Sequence, residues 1–266
     1  MRNDIDAVFD RRDRLKLMTH VVAGFPDLET SARLVELMAA GGADLVEIQI
    51  PFSDPLADGP TIMRANLHAL RGGIRPEDCF RMVERLKSRV SLPLILMTYA
   101  NIPFQMGMAR FAERAAGCGA SGALIPDLPF DEPEGSIGDR FSVEGVHLIP
   151  VLSPGMNGRR LGRILTSAQG MLYLTLKIGT TGALGRTQSR GLKFIARVRN
   201  ETHLPVAAGF GVSSPGQVSA LRGRADAVVI GSHILDLFNA SGFGGVASFL
   251  WECRESCGKN QGRRPR

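Results

Sequence analysis

The sequence lacks any cysteine pair at metal-binding spacing. Its four cysteines are Cys79, Cys118, Cys253 and Cys257, with no CxxC among them. The last two lie four residues apart with no paired histidine, which argues against a zinc site and reads as reduced thiols of a cytoplasmic protein. The five histidines, His20, His68, His147, His203 and His233, are scattered, so no metal is expected. There is no run of roughly 20 apolar residues, which argues against a membrane helix. The opening stretch MRNDIDAVFDRRDR alternates charges and has no apolar centre, so it does not read as a secretory signal. A GxGxxG fingerprint, a nucleophile elbow around serine and a convincingly placed Schiff-base lysine are also missing. Lys177 falls in a glycine-rich loop, a poor place for a covalent catalyst. Acidic charge is in deficit, at a net +6, but Lys259, Arg263, Arg264 and Arg266 crowd the last eight residues and leave about +2 elsewhere. That distribution gives a basic, disordered tail over 259–266 rather than a nucleic-acid surface.

What is present is an alternation. The chain has 266 residues, 44% of them apolar, enough for one large core. Apolar strand-like runs recur at 15–22, 44–50, 94–98, 122–125, 146–152, 171–175, 204–208 and 225–230, separated by helical segments. Helices are expected near 3–10, 31–40 (capped by Asp27 or Thr30), 61–71, 76–90, 106–117, 157–168, 191–200, 233–239 and 244–257. Residues 131–144 make a poor helix, and 176–190 is expected to be a long Gly/Thr loop acting as a lid. Eight strand–helix units in strict alternation imply an α/β fold with a parallel sheet, closing into a single (β/α)8 TIM barrel over 1–258 with extra N-terminal and C-terminal helices.

Barrel sites gather at the C-terminal ends of the strands. In 44–50 the alternation puts Leu45, Glu47 and Gln49 on one face and Val46, Ile48 and Ile50 on the other. Glu47 is therefore a carboxylate inside a doubly covered strand. It reads either as an acid/base group or as a buried carboxylate satisfied by neighbours. Asp58 follows eleven residues later on a loop containing Pro51, Pro55 and Pro60; it reads either as a second functional carboxylate or as a turn residue. Gly209-Phe210-Gly211 and Gly231-Ser232 follow the last two strands, where backbone N–H groups can hold a phosphate, and Gly179, Thr181 and Gly182 lie in the loop that could close over it.

The stretches AGFPDLETS (23–31), PFSDPLADGP (51–60), LMTYAN (96–101), PDLP (126–129), GTTG (179–182), AGFGVSSP (208–215) and VIGSHI (229–234) resemble the tryptophan synthase α-subunit family along nearly the whole chain. The resemblance implies cleavage of indole-3-glycerol phosphate to indole and glyceraldehyde 3-phosphate. It implies no cofactor on this chain, and a β subunit carrying pyridoxal phosphate as partner in an α2β2 complex. It implies Glu47 as general acid/base, Asp58 as acceptor of the indole N–H and Tyr173 beside Glu47. Phe25, Tyr99, Leu124 and Asp127 would line or support the indole pocket. Thr181, Gly182, Phe210, Gly211, Gly231 and Ser232 would grip the phosphate. Some positions depart from the family pattern. Gln49 replaces a usual glycine and projects like Glu47, where it would crowd the pocket or reposition that carboxylate; Met63, Ala100 and Leu176 are further departures. Two other readings follow from these changes: a stand-alone lyase, and a non-catalytic regulator of a β subunit.

Overall fold

The computed structural model describes residues 3–11, 13–130, 137–175, 184–209 and 211–258, with backbone alone over 184–189. Nine parallel strands form one sheet: β1 (Lys16–Val22), β2 (Leu45–Gln49), β3 (Leu94–Met97), β4 (Gly122–Leu124), β5 (His147–Ile149), β6 (Val151–Leu152), β7 (Leu172–Thr175), β8 (Val206–Gly209) and β9 (Ala227–Ile230). Their order is β5-β4-β3-β2-β1-β9-β8-β7-β6. The terminal strands β5 and β6 are separated by Pro150 alone, so they are halves of one strand and the chain itself closes the ring. Proline has no N–H to give a ladder, yet its carbonyl still accepts from Tyr173 N at 3.0 Å across the seam. The expected eight-stranded (β/α)8 barrel is thus the observed one, with its fifth strand in two pieces.

The period-two pattern sorts the core. Val46, Ile48, Ile50, Leu94 and Leu96 face the surrounding helices. Met18, Leu45, Ile95, Met97, Tyr99, Leu124, Ile149 and Met171 fill the interior. The helix α1 (Asp4–Asp10) sends Ile5 and Phe9 into that interior. It is pinned there by Asn3, whose amide donates to Ser121 O at 2.7 Å and Gly145 O at 2.8 Å, and by Asp6 against His147 at 3.0 Å. Gly122 on β4 makes room for this contact: a Cβ there would lie 2.9 Å from Ile5 Cδ1 and 3.0 Å from Ile149 Cδ1, so those side chains would have to shift. Among the described residues, Ile5 and Phe9 thus fill the interior at the strand N-terminal ends.

Helices α2 (Leu28–Ala40), α3 (Pro60–Arg71), α4 (Pro76–Lys87), α6 (Met108–Gly117), α8 (Gly158–Ser167) and α10 (Pro215–Ala220) pack outside, α2 capped by Asp27 as expected. Three segments differ from the sequence reading. A short α5 (Asn101–Met106) precedes α6, the two separated by Gly107 at φ 84°. Pro103 is tolerated because it lies in the first turn, where N–H groups have no intrahelical acceptor. In the supposed poor helix, α7 (Ile137–Val143) forms around buried Phe141. Most consequentially, α9 (Leu184–Glu201) begins seven residues earlier than expected, so the part of the expected 176–190 loop from 184 on is helical, and 176–183 lies outside the described residues. Phe194, Ile195 and Val198 bury the helix's apolar stripe, and once that turn is nucleated, extension through Arg190, Gln188 and Arg186 is cheap. The final helix α11 (Ser232–Cys257) is bent at Gly242, whose φ of 61° divides it in two near the expected break.

Candidate active site at the barrel mouth

β1 and β2 pair in a register that sets His20 level with Glu47. Both side chains point inward and are buried, 7% and 4% exposed, with His20 Nδ1 3.4 Å from Glu47 Oε1. One step toward the mouth, Gln49 is fully buried on the same face as Glu47. Its Nε2 donates to Asp58 Oδ2 at 2.7 Å and more weakly to Asn66 Oδ1 at 3.4 Å. Gln49 thus neither merely crowds Glu47 nor stands apart: it ties the strand to the loop carboxylate.

The loop that carries Asp58 is held at several points. Asn66, buried on α3, accepts from Phe52 N at 2.9 Å. The Tyr99 hydroxyl accepts from Ala57 N at 3.1 Å, and Phe52 stacks on the Tyr99 ring at 5.3 Å. Asp58 N donates to Pro55 O at 2.9 Å, closing the proline turn.

The electrostatics tie these groups into one site. Burial pushes the Asp58 carboxyl above its ordinary range, and the Glu47 charge adds to this; the Gln49 hydrogen bond, the His20 charge and the Tyr99 hydroxyl only partly offset them. For His20, burial opposes the imidazolium, but the Glu47 charge and contact, with Asp58 and Gln49, outweigh it and lift the imidazole above its usual range. Tyr173 on β7 is held as the neutral phenol, first by burial and then by the charges of Glu47 and Asp58. Tyr99 is likewise kept protonated by burial and by Asp58. Tyr173 owes its place to Gly209, where a Cβ would lie 3.0 Å from the phenol oxygen. Three buried polar atoms here have no hydrogen-bond partner among the described residues: His20 Nε2, Glu47 Oε2 and Gln49 Oε1. Buried polar atoms are nearly always paired, so three unpaired ones on His20, Glu47 and Gln49 set this part of the barrel apart.

The remaining sequence-selected residues fall into groups. Leu124 lines the same interior as Tyr99 and Tyr173. Asp127 accepts from Ala100 N at 2.9 Å and so braces the loop after β3. Phe25 lies apart from that interior cluster: it packs edge-on to His68 at 5.3 Å, near Ile62 and Leu235 at the rim. Gly211, at φ 66°, follows β8, and nothing lies within 4 Å of where its Cβ would be. Gly231 and Ser232 open α11, which has no side-chain cap, so backbone N–H groups face outward at a positive helix end. Thr181, Gly182 and Phe210 lie outside the described residues. Among the described residues no cluster of histidine, cysteine and acidic groups could hold a metal ion, and no helix is long and apolar enough to cross a membrane. His20 and Asn66 were not picked out from the sequence; the signal for His20 was its inward parity on β1, two positions beyond Met18.

The described residues thus form a closed parallel barrel with Glu47 and Asp58 at its strand C-terminal ends and glycines after its last two strands. Known proteins narrow this. Residues 7–245 match the family model described as tryptophan synthase alpha chain. The curated tryptophan synthase alpha chain of Desulforapulum autotrophicum is 37% identical over 240 residues, covering 90% of this chain and 94% of its own. That of Syntrophotalea carbinolica is 38% identical over 238 residues, with the same coverage. Among solved structures, a tryptophan synthase from M. tuberculosis superposes with a TM-score of 0.87 at 27% identity, covering 96% of this chain and all of that one. The tryptophan synthase alpha chain from Legionella pneumophila gives 0.85 at 27%, covering 97% and 98%. The chain belongs to the tryptophan synthase alpha chain family.

Proposed function

We propose that the chain is a carbon–carbon lyase that cleaves indole-3-glycerol phosphate to indole and glyceraldehyde 3-phosphate, working with a tryptophan synthase β chain. The observation that carries this reading is that Glu47 and Asp58 lie close enough to act on the same two groups, His20 and Tyr173, with Gln49 donating to Asp58 at 2.7 Å and His20 Nδ1 3.4 Å from Glu47 Oε1. Glu47 Oε2 is free to protonate the indole ring carbon that bears the side chain. Positive charge then develops on the ring nitrogen, where Asp58 accepts the N–H and stabilises it. Removal of the side-chain hydroxyl proton forms the aldehyde carbonyl as the carbon–carbon bond breaks, and the bonding electron pair returns to the ring. Positioned proton transfer supplies about 10²–10⁴-fold in rate, and a carboxylate facing developing charge in a dry pocket adds to it. The N-terminus of α11 beside Gly231 and Ser232, with Gly211 after the neighbouring strand β8, suits the phosphate. Thr181, Gly182 and Phe210 belong to the same grip by family position.

A β-chain partner is supported by Leu56, 93% exposed, and Phe104, 58% exposed, both after strand ends on the mouth side. Large apolar side chains left exposed at the strand ends are what a contact surface offers. The test is indole release from indole-3-glycerol phosphate, with and without a β subunit. Strong stimulation by β is expected; equal turnover without it would favour the uncoupled lyase, and β binding without turnover the regulator. Glu47→Gln should abolish cleavage with an unchanged circular dichroism spectrum, and near-normal turnover would remove Glu47 from the chemistry.

A further inference from the structure

The mechanism above uses Glu47 through Oε2 and gives its buried neighbour nothing to do. Burying a histidine against a carboxylate at the base of a reaction pocket is costly without a purpose. The geometry is specific. His20 and Glu47 are cross-strand partners on β1 and β2, so their backbones are fixed by the barrel ladder rather than by loops. The contact runs through Nδ1 and Oε1, which leaves Nε2 and Oε2 as the unpaired atoms. On the other side of His20 lies the β9 end, where the Cβ position of Gly231 is 3.6 Å from His20 Cβ. The charged groups acting on His20 are Glu47 from β2 and Asp58 from the loop, both acidic, with the neutral Gln49 amide between them. Tyr173, from β7, faces the same two carboxylates as a neutral phenol.

We propose that His20 is a positioning residue that shares one proton with Glu47 and holds it by Oε1, so that Oε2 is aimed at the substrate. The proposal rests on the lyase reading and names what sets the working pH of that site. Two groups this close titrate as a pair, with two macroscopic steps. The one-proton form is the working form: with Nδ1–H donating to Oε1, the pair's titrating proton sits on Oε2 for delivery to carbon, and Oε2, once emptied, receives the hydroxyl proton. No atom is gained or lost over the cycle, because the proton given to the ring is replaced by the one taken from the hydroxyl. Loss of the last proton from the pair stops turnover at alkaline pH.

Two measurements test this. The first is a pH profile of kcat/KM for indole release by the wild type, His20→Phe and His20→Gln, with the β subunit present throughout. In His20→Phe the alkaline limb should move at least one pH unit toward acid, and the rate at the optimum should fall about tenfold or more. His20→Gln keeps an N–H donor without titrating, so it should recover much of the lost rate while the limb stays displaced. An alkaline limb that is the same in all three proteins overturns the proposal. The second is an imidazole ¹⁵N NMR titration of His20 in the wild type and in Glu47→Gln, which needs no turnover. The His20 midpoint should fall by at least one unit in Glu47→Gln; an unchanged midpoint overturns the pairing even if the variants at position 20 fail to fold. If the wild type releases no indole while His20 and Glu47 titrate as a pair, the lyase reading has failed and the pairing has not.

Discussion

At the residue scale, the informative side chain is Gln49. Its amide donates to Asp58 at 2.7 Å while its own carbonyl oxygen is unpaired. Gln49→Leu keeps the volume and removes the donor, leaving a buried carboxylate short of a partner, a loss worth about 1–3 kcal/mol. We expect kcat/KM for indole release to fall about tenfold, mostly through KM, and Gln49→Gly to fall as well. A rise in either would mean that Gln49 obstructs the pocket. The direction of Gln49 was legible from alternation along β2, which also separated Glu47 from Val46 and Ile48. Its bond to Asp58 was not, because a loop's return path over a strand end has no periodic signature. His20 was illegible for a related reason: its meaning depends on the β1–β2 register, a property of two strands at once.

At the element scale, the N-terminal helix and β4 form a fitted contact. Ile5 is fully buried against Gly122. Ile5→Ala should cost about 2–5 kcal/mol in urea unfolding. Gly122→Ala should cost about 1–3 kcal/mol through overpacking, and clearly less in the Ile5→Ala background, where the opposing methyl is gone. Strict additivity in that double-mutant cycle would show that the contact is not the source of the strain. Helices with a buried stripe were readable to within a few residues, as for α2, α3 and α8. The start of α9 was not, because Gly185 and Gly191 suggest a loop while packing further along the helix decides its extent.

At the scale of the whole molecule, the site sets a pH signature on stability. The folded-state pKa of His20 lies above the unfolded value of about 6.5. Its contribution is therefore fully present below about pH 6.5 and is lost as pH rises through the folded value. Asp58, also raised, acts in the same direction at lower pH. The exposed Asp13, Asp27 and Glu77, all lowered by hydrogen bonds, act oppositely, favouring the fold above the carboxylate range and losing that effect in acid. The urea midpoint of the wild type should decline as pH rises above about 6.5, and decline less in His20→Phe. Parallel slopes would mean that His20 does not carry the effect. The barrel itself was the most legible feature, since eight apolar runs with two covered faces admit few other closures. The break at Pro150 is a local matter that leaves the ring intact.

The stoppering of the barrel base by Ile5 and Phe9 has a kinetic corollary. A vessel corked at one end gives arriving and departing molecules the same doorway. On the lyase reading, an uncharged bicyclic product formed inside would share that doorway with the phosphorylated fragment, so the order of departure would be set by plumbing rather than by affinity. Whatever docks over that doorway takes control of the traffic.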